Sequence, residues 1–128
     1  MSQLIEQAEQ YAIDFLTNGL DKQFVYHNIA HTQRVVEKSK ELAEMEKIAP
    51  EELEKLVVAA WFHDTGYAVD ASRHEEASTE VLKTFLATCK KEDLFDEVAS
   101  LILVTQMNRT PETILEKVLK DADCSHLG

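Results

Sequence analysis

The sequence predicts an all-α fold, and three observations carry that prediction. Apolar residues recur at three- and four-residue spacing along successive segments, and no stretch alternates apolar and polar residues as a half-buried strand would. Gly19, Pro50 and Pro111 fall where helices should end or begin. With 45% hydrophobic residues in a chain of 128, one core can be buried, and the chain reads as one domain over residues 1–128.

From Ser2 to about Asn18, the positions Leu4, Ile5, Ala8, Ala12, Ile13, Phe15 and Leu16 fit an amphipathic helix, which Gly19 should close. Leu20 to Ile29 reads as a connector into a second helix, starting near Asn28 and running to about Ile48. Val35, Val36, Leu42, Ala43 and Met45 face inward there, with charges outward. Pro50 opens a third helix, with Glu51 and Glu52 at the positive end of its dipole, and this helix closes at His63. A loop follows through Gly66 and Asp70. Ser72 with Glu75 reads as a capping box for a fourth helix to about Cys89, whose apolar set is Ala77, Val81, Leu82, Phe85 and Leu86. A fifth helix, Asp93 to Gln106, turns Leu94, Val98, Leu101 and Ile102 inward, with Thr105 in the same stripe. Thr110-Pro111-Glu112 reads as an N-cap, an N1 proline and an acidic first turn for a sixth helix to about Ala122 or beyond. There is no repeat and no low-complexity segment.

Charge narrows the partners. Thirteen Lys and Arg against twenty-four Asp and Glu leave a net charge of -11, which repels nucleic-acid backbones and anionic membranes at long range. Neither nucleic acid nor membrane is therefore expected as a partner, and a phosphate substrate must be held locally. No apolar run is long enough to span a bilayer, and Met1 to Glu6 lacks the basic and apolar start of a signal peptide, so a cytoplasmic location is expected. Cys89 and Cys124 stand alone, which fits reduced cysteines rather than a disulfide framework.

Against this background some polar residues occupy inward positions. His63 follows Ala60 by three and Leu56 by seven, on the face of the third helix that should be buried, and Asp64 is beside it. His31 precedes Val35 by four, on the inner side of the second helix. In the sixth helix Leu115, Leu119 and Asp123 lie on one i, i+4 line; two residues of separation turn a helix by about 200°, so Asp121 falls on the polar side. Taken singly, a lone inward histidine is more often a satisfied core residue, and an aspartate at a helix end is often a cap. Together, two neutral imidazoles and two carboxylates carry a charge of -2 that one divalent cation cancels. The mixed N and O donors suit manganese, iron, nickel, cobalt or zinc better than calcium.

The order Tyr26-His27-Asn28-Ile29-Ala30-His31, then Trp61-Phe62-His63-Asp64, then Asp121-Ala122-Asp123 resembles the HD-domain superfamily of metal-dependent phosphohydrolases. The resemblance covers about Gln23 to Gly128 and includes the stretches Ala59 to Tyr67 and Asp121 to Gly128. It implies a helical bundle around a metal site, with one divalent ion (Mn, Fe, Ni, Co, Zn or Mg) on His31, His63, Asp64 and Asp123. By the same resemblance Asp64 belongs to the catalytic set, and His74-Glu75 matches an "HE" that many relatives place after the HD loop. His27 and His74 then have substrate-binding or proton-donating roles, with His27, one helical turn before His31, the candidate proton donor, although a surface position at the start of a helix is nearly as good a reading of His74. Lys83, Arg34, Arg73, Arg109 and Lys120 are the cations available to a phosphate.

Two departures point away from the cyclic-dinucleotide phosphodiesterase branch. Thr105 stands at the inward position on the fifth helix, where two-metal relatives carry additional histidines on later helices, and Tyr67 replaces the lysine of His-Asp-x-Gly-Lys. The chain also stops at Leu127-Gly128, where relatives continue with more helices, which implies a partial chain or a tail out of view. The expected activity is metal-dependent hydrolysis of a small-molecule phosphate ester or anhydride, a nucleotide by resemblance, with the oligomeric state left open. The alternatives are a nucleotide-sensing module with little or no turnover, and a dinuclear phosphodiesterase or oxygenase-like enzyme.

Overall fold

A computed structural model describes residues 3–124. Six α-helices form among the described residues: α1 Gln3–Gly19, α2 Lys22–Met45, α3 Pro50–Phe62, α4 His74–Thr88, α5 Phe95–Leu103 and α6 Ile114–Cys124. The fold is all α, as the periodicity predicts. At the centre is α3, whose residues from Leu56 to Phe62 are all buried, and it packs against α1, α2, α4, α5 and α6. A segment apolar on every side has no face left for solvent, so this second half of α3 is the core. Each fully buried Leu, Val or Phe contributes about 1.5–3 kcal/mol. Tyr11, Phe62 and Phe85 pack ring against ring, joining α1, α3 and α4. No helix among the described residues is long and apolar enough to cross a membrane, and both cysteines are free thiols, Cys124 exposed and Cys89 partly so.

The helix boundaries depart from the sequence reading where a side chain or backbone device does the capping. The connector expected through Ile29 is helical, and α2 starts at Lys22. Asn28, taken as a start signal, is mid-helix and donates its amide to the Phe24 carbonyl at 2.8 Å, so its polar group is satisfied within the helix. The far end comes earlier than Ile48 because Lys47 is left-handed, with φ 56°. There the amides of Lys47 and Ile48 turn back onto the carbonyls of Glu44 and Ala43, a Schellman closure made without glycine.

Ser72 is not the cap of α4. The Asp70 carboxylate accepts both its amide and its hydroxyl, at 3.1 and 2.7 Å, which uses that serine in a 3-10 turn, Ala71–Arg73, ahead of the helix. Likewise α6 begins at Ile114 rather than at Pro111. Thr113 Oγ1 accepts the Glu116 amide, and Glu116 Oε1 in return accepts the amide of Glu112, so the capping serves a start three residues later than Pro111 implies. Gly19 is helical rather than left-handed, and serves a close approach: a Cβ there would lie 2.7 Å from that of Ala68.

Candidate metal centre

The end of α3 is built so that one imidazole nitrogen is left over. His63 Nδ1 donates to the Ala60 carbonyl at 2.6 Å, Thr65 Oγ1 donates to the Phe62 carbonyl at 2.8 Å, and Ser78 Oγ of α4 donates to the His63 carbonyl at 2.9 Å. The closing carbonyls of the helix are thus satisfied by side chains. With its proton committed at Nδ1, neutral His63 presents a bare lone pair at Nε2. That atom is buried and makes no hydrogen bond, although His63 as a whole is only 1% exposed. An unmet buried acceptor is costly in an apolar core.

Three other helical or turn positions converge on it. His31 of α2 puts Nε2 3.1 Å from Asp123 Oδ1 of α6 and 3.4 Å from Asp64 Oδ2. His63 Nε2 lies 3.4 Å from each of those two carboxylate oxygens. One donor atom each from His31, His63 and Asp123 falls within 4.8 Å of the others. Donor separations of 3.1–3.4 Å are the edges of a coordination polyhedron with metal–ligand bonds of about 2.0–2.2 Å. The residues therefore fit a divalent ion, on the orphaned Nε2 and on the charge of the donor set. Burial pulls the His63 pKa down, but Asp64 and Asp123 outweigh it and raise the value to about 9. Burial likewise opposes ionisation of Asp123, yet His31 and His63 hold its carboxyl well below the usual carboxylate range. Two carboxylates facing two imidazoles thus favour a positive charge between them.

A model of the HD domain matches residues 28–128. The chain belongs to the HD-domain family. That family is one of metal-dependent phosphohydrolases, and in this HD domain the His31, His63 and Asp123 cluster can hold a metal. No curated protein and no solved structure matches the chain.

The helix phase derived for α6 holds in the HD domain: Asp123 is partly buried and faces the cluster, whereas Asp121 is exposed. The rest of the Asp121 to Gly128 stretch, from Ser125 onward, lies outside the described residues. Asp64 uses its two oxygens on two sides, Oδ2 toward His31 and His63, and Oδ1 toward His74 Nε2 at 3.5 Å. His74 Nε2 is also 3.1 Å from Glu75 Oε2, so the first turn of α4 does reach the site and is not a surface feature. His27 is one turn before His31, yet it is exposed and its ring meets the edge of Tyr26.

Three of the expected cations lie away from the cluster. Lys120 Nζ donates to the carbonyls of Val104, Gln106 and Arg109, which fixes it in the turn after α5. Arg73 and Lys83 line a cavity of about 740 Å³ between α1 and α4, whose lining includes none of the cluster residues. Thr105 is buried just past the end of α5, and its hydroxyl donates to the Ile102 carbonyl at 2.7 Å.

Sequence reading missed two contributors. Ser78 is a polar residue on the buried stripe of α4, and its hydroxyl also accepts the Gly66 amide at 2.8 Å, tying the HD turn to α4. Gly66 is the signal that pointed there: a Cβ would come 1.9 Å from the His74 carbonyl oxygen, so only glycine allows the turn to press on that helix. Tyr67, noted as a departure from a lysine, stacks on His74.

Proposed function

We propose that this HD domain is a metal-dependent phosphohydrolase that binds one divalent ion on His31, His63, Asp64 and Asp123 and cleaves a phosphate ester or anhydride of a nucleotide. The observation that carries the reading is the buried, unpartnered Nε2 of His63, facing two carboxylates and a second imidazole. A bound divalent ion supplies Lewis acidity, acidifying water and polarising a phosphoryl oxygen. The chain's own residues divide the remaining work. His63 is held in one tautomer by the Ala60 carbonyl, and Asp123 is kept ionised by its imidazole partners. Asp64 faces the ion site with Oδ2 and orients His74 with Oδ1. His74, backed by Glu75, is the proton donor to the leaving oxygen, because its Nε2 stands beside Asp64. That role was expected of His27, but the exposed His27 ring has no comparable setting.

The test is a panel of nucleoside mono-, di- and triphosphates, guanosine tetraphosphate and cyclic nucleotides, assayed with Mn²⁺ for released phosphate or pyrophosphate. At least one should be cleaved, and His74→Ala should lower turnover by about a hundredfold while metal stays bound, in the range of general acid catalysis. Tight nucleotide binding without turnover under any divalent ion would replace the enzyme with a sensing module.

A further inference from the structure

His74 sits at the outer edge of the cluster, and its side chain is 18% exposed, so α4 alone does not settle where its ring points. A histidine ring turns in a broad torsional well about its second side-chain bond. For Nε2 to remain beside Asp64, something must limit that rotation.

Tyr67 is the neighbour able to do so. Its ring lies 4.0 Å from the imidazole, centroid to centroid, with only 13° between the planes. A flat stack at that distance blocks rotation of the imidazole out of plane, because a tilted ring would overlap the phenol. Tyr67 is itself seated by the turn that carries it. The preceding residue, Gly66, donates its amide to Ser78 Oγ, and the Tyr67 amide donates to the Asp64 carbonyl at 3.1 Å. The close approach of Gly66 to the His74 carbonyl keeps the turn that carries the phenol against the start of α4. Tyr67 keeps 37% of its surface exposed, so the pair forms an outer wall of the site. Its hydroxyl stays protonated there, since burial and the charges of Asp64, Glu75 and Asp123 raise its pKa.

We propose that Tyr67 is a positioning residue: seated by the Gly66–Ser78 junction, its ring lies flat on the His74 imidazole and holds Nε2 between Asp64 Oδ1 and Glu75 Oε2. The inference rests on His74 having the proton-transfer role given to it above. The work is done by the π face and not by the hydroxyl, which makes Phe the conservative replacement. Leu keeps apolar bulk without a planar face, and Ala removes both.

Side-chain histidine NMR of the metal-free full chain reads the stack directly. The His74 ring protons should be shifted upfield by the phenol in wild type and in Tyr67→Phe, and should lose that shift in Tyr67→Leu and Tyr67→Ala. With Mn²⁺ and p-nitrophenyl phosphate, or the best nucleotide of the panel, the Phe variant should stay near wild type. The Leu and Ala variants should lose about tenfold in kcat, part of what general acid catalysis contributes, with KM and bound metal unchanged. Unchanged His74 resonances in the Leu and Ala variants would overturn the proposal, as would a Phe variant as impaired as the Leu variant. If His74→Ala leaves turnover intact while the upfield shift behaves as expected, the proton-transfer role of His74 fails and the stack is only a structural contact.

Discussion

Two helix ends in this molecule draw positive charge in different ways. After α5 the carbonyls of Val104, Gln106 and Arg109 converge on the ammonium of Lys120, a cation supplied by the chain. At the end of α3 the carbonyls are met by His63, Thr65 and Ser78, and the negative charge comes instead from Asp64 and Asp123, facing Nε2 of His63. No lysine or arginine makes an ion pair there among the described residues. A helix C-terminus and a pair of carboxylates both attract positive charge. The difference is that the first site is filled by the chain's own lysine, whereas the second is a cluster that can hold a metal.

The strongest way to break this comparison is to remove the orphaned ligand. In His63→Ala, bound divalent metal should fall from about one ion per chain to a small fraction, as read by elemental analysis. In wild type, chelation should lower the melting temperature, since an ion present at a hundred times its Kd stabilises the folded state by about 2.7 kcal/mol. Full metal content in His63→Ala would mean that the α3 end is not the centre. Two tightly bound ions in wild type would instead move the second to Asp64 Oδ1, His74 and Glu75, where the other face of the carboxylate looks.

Next in size is the fixed cation. Lys120→Met leaves carbonyls without a charged donor and should cost about 2 kcal/mol, seen as a lower midpoint in denaturant. Its metal content should match wild type. Equal loss of metal in Lys120→Met and His63→Ala would show that the two ends are not independent.

Proton competition sharpens the contrast further. His63 has a raised pKa in the metal-free fold, so its protonated form adds stability that is complete below pH 6.5 and is lost as pH rises through about 9. A metal must displace that proton, so apparent affinity should climb by about tenfold per pH unit between those limits. Calorimetric titration in buffers of different ionisation enthalpy would detect the released proton, and a flat profile would remove His63 from the ligand set. The smallest expected effect belongs to Asp121→Asn, which should leave metal content unchanged where Asp123→Asn loses it. A reversed outcome would place α6 in the wrong phase.

The amino-acid sequence by itself determined the helical class, the buried face of α3 and the inward phase of His31, His63 and Asp123. Each follows from a 3.6-residue period acting within one segment, where an apolar stripe must be buried and a polar residue on it is carried inward. Helix ends were less legible, because they depend on partners that local spacing does not specify. Asp70 took the groups of Ser72, Lys47 and Lys90 closed helices in left-handed conformations usually given to glycine, and Thr113 rather than Thr110 capped α6. Only the tertiary structure decided that Lys120 is occupied by carbonyls, that His27 is exposed while His74 reaches Asp64, and that Ser78 and Tyr67 hold the HD turn against α4. These are contacts between segments remote in the chain or across a tight turn. They depend on how helices dock, and periodicity says which face is buried but not what it will meet there.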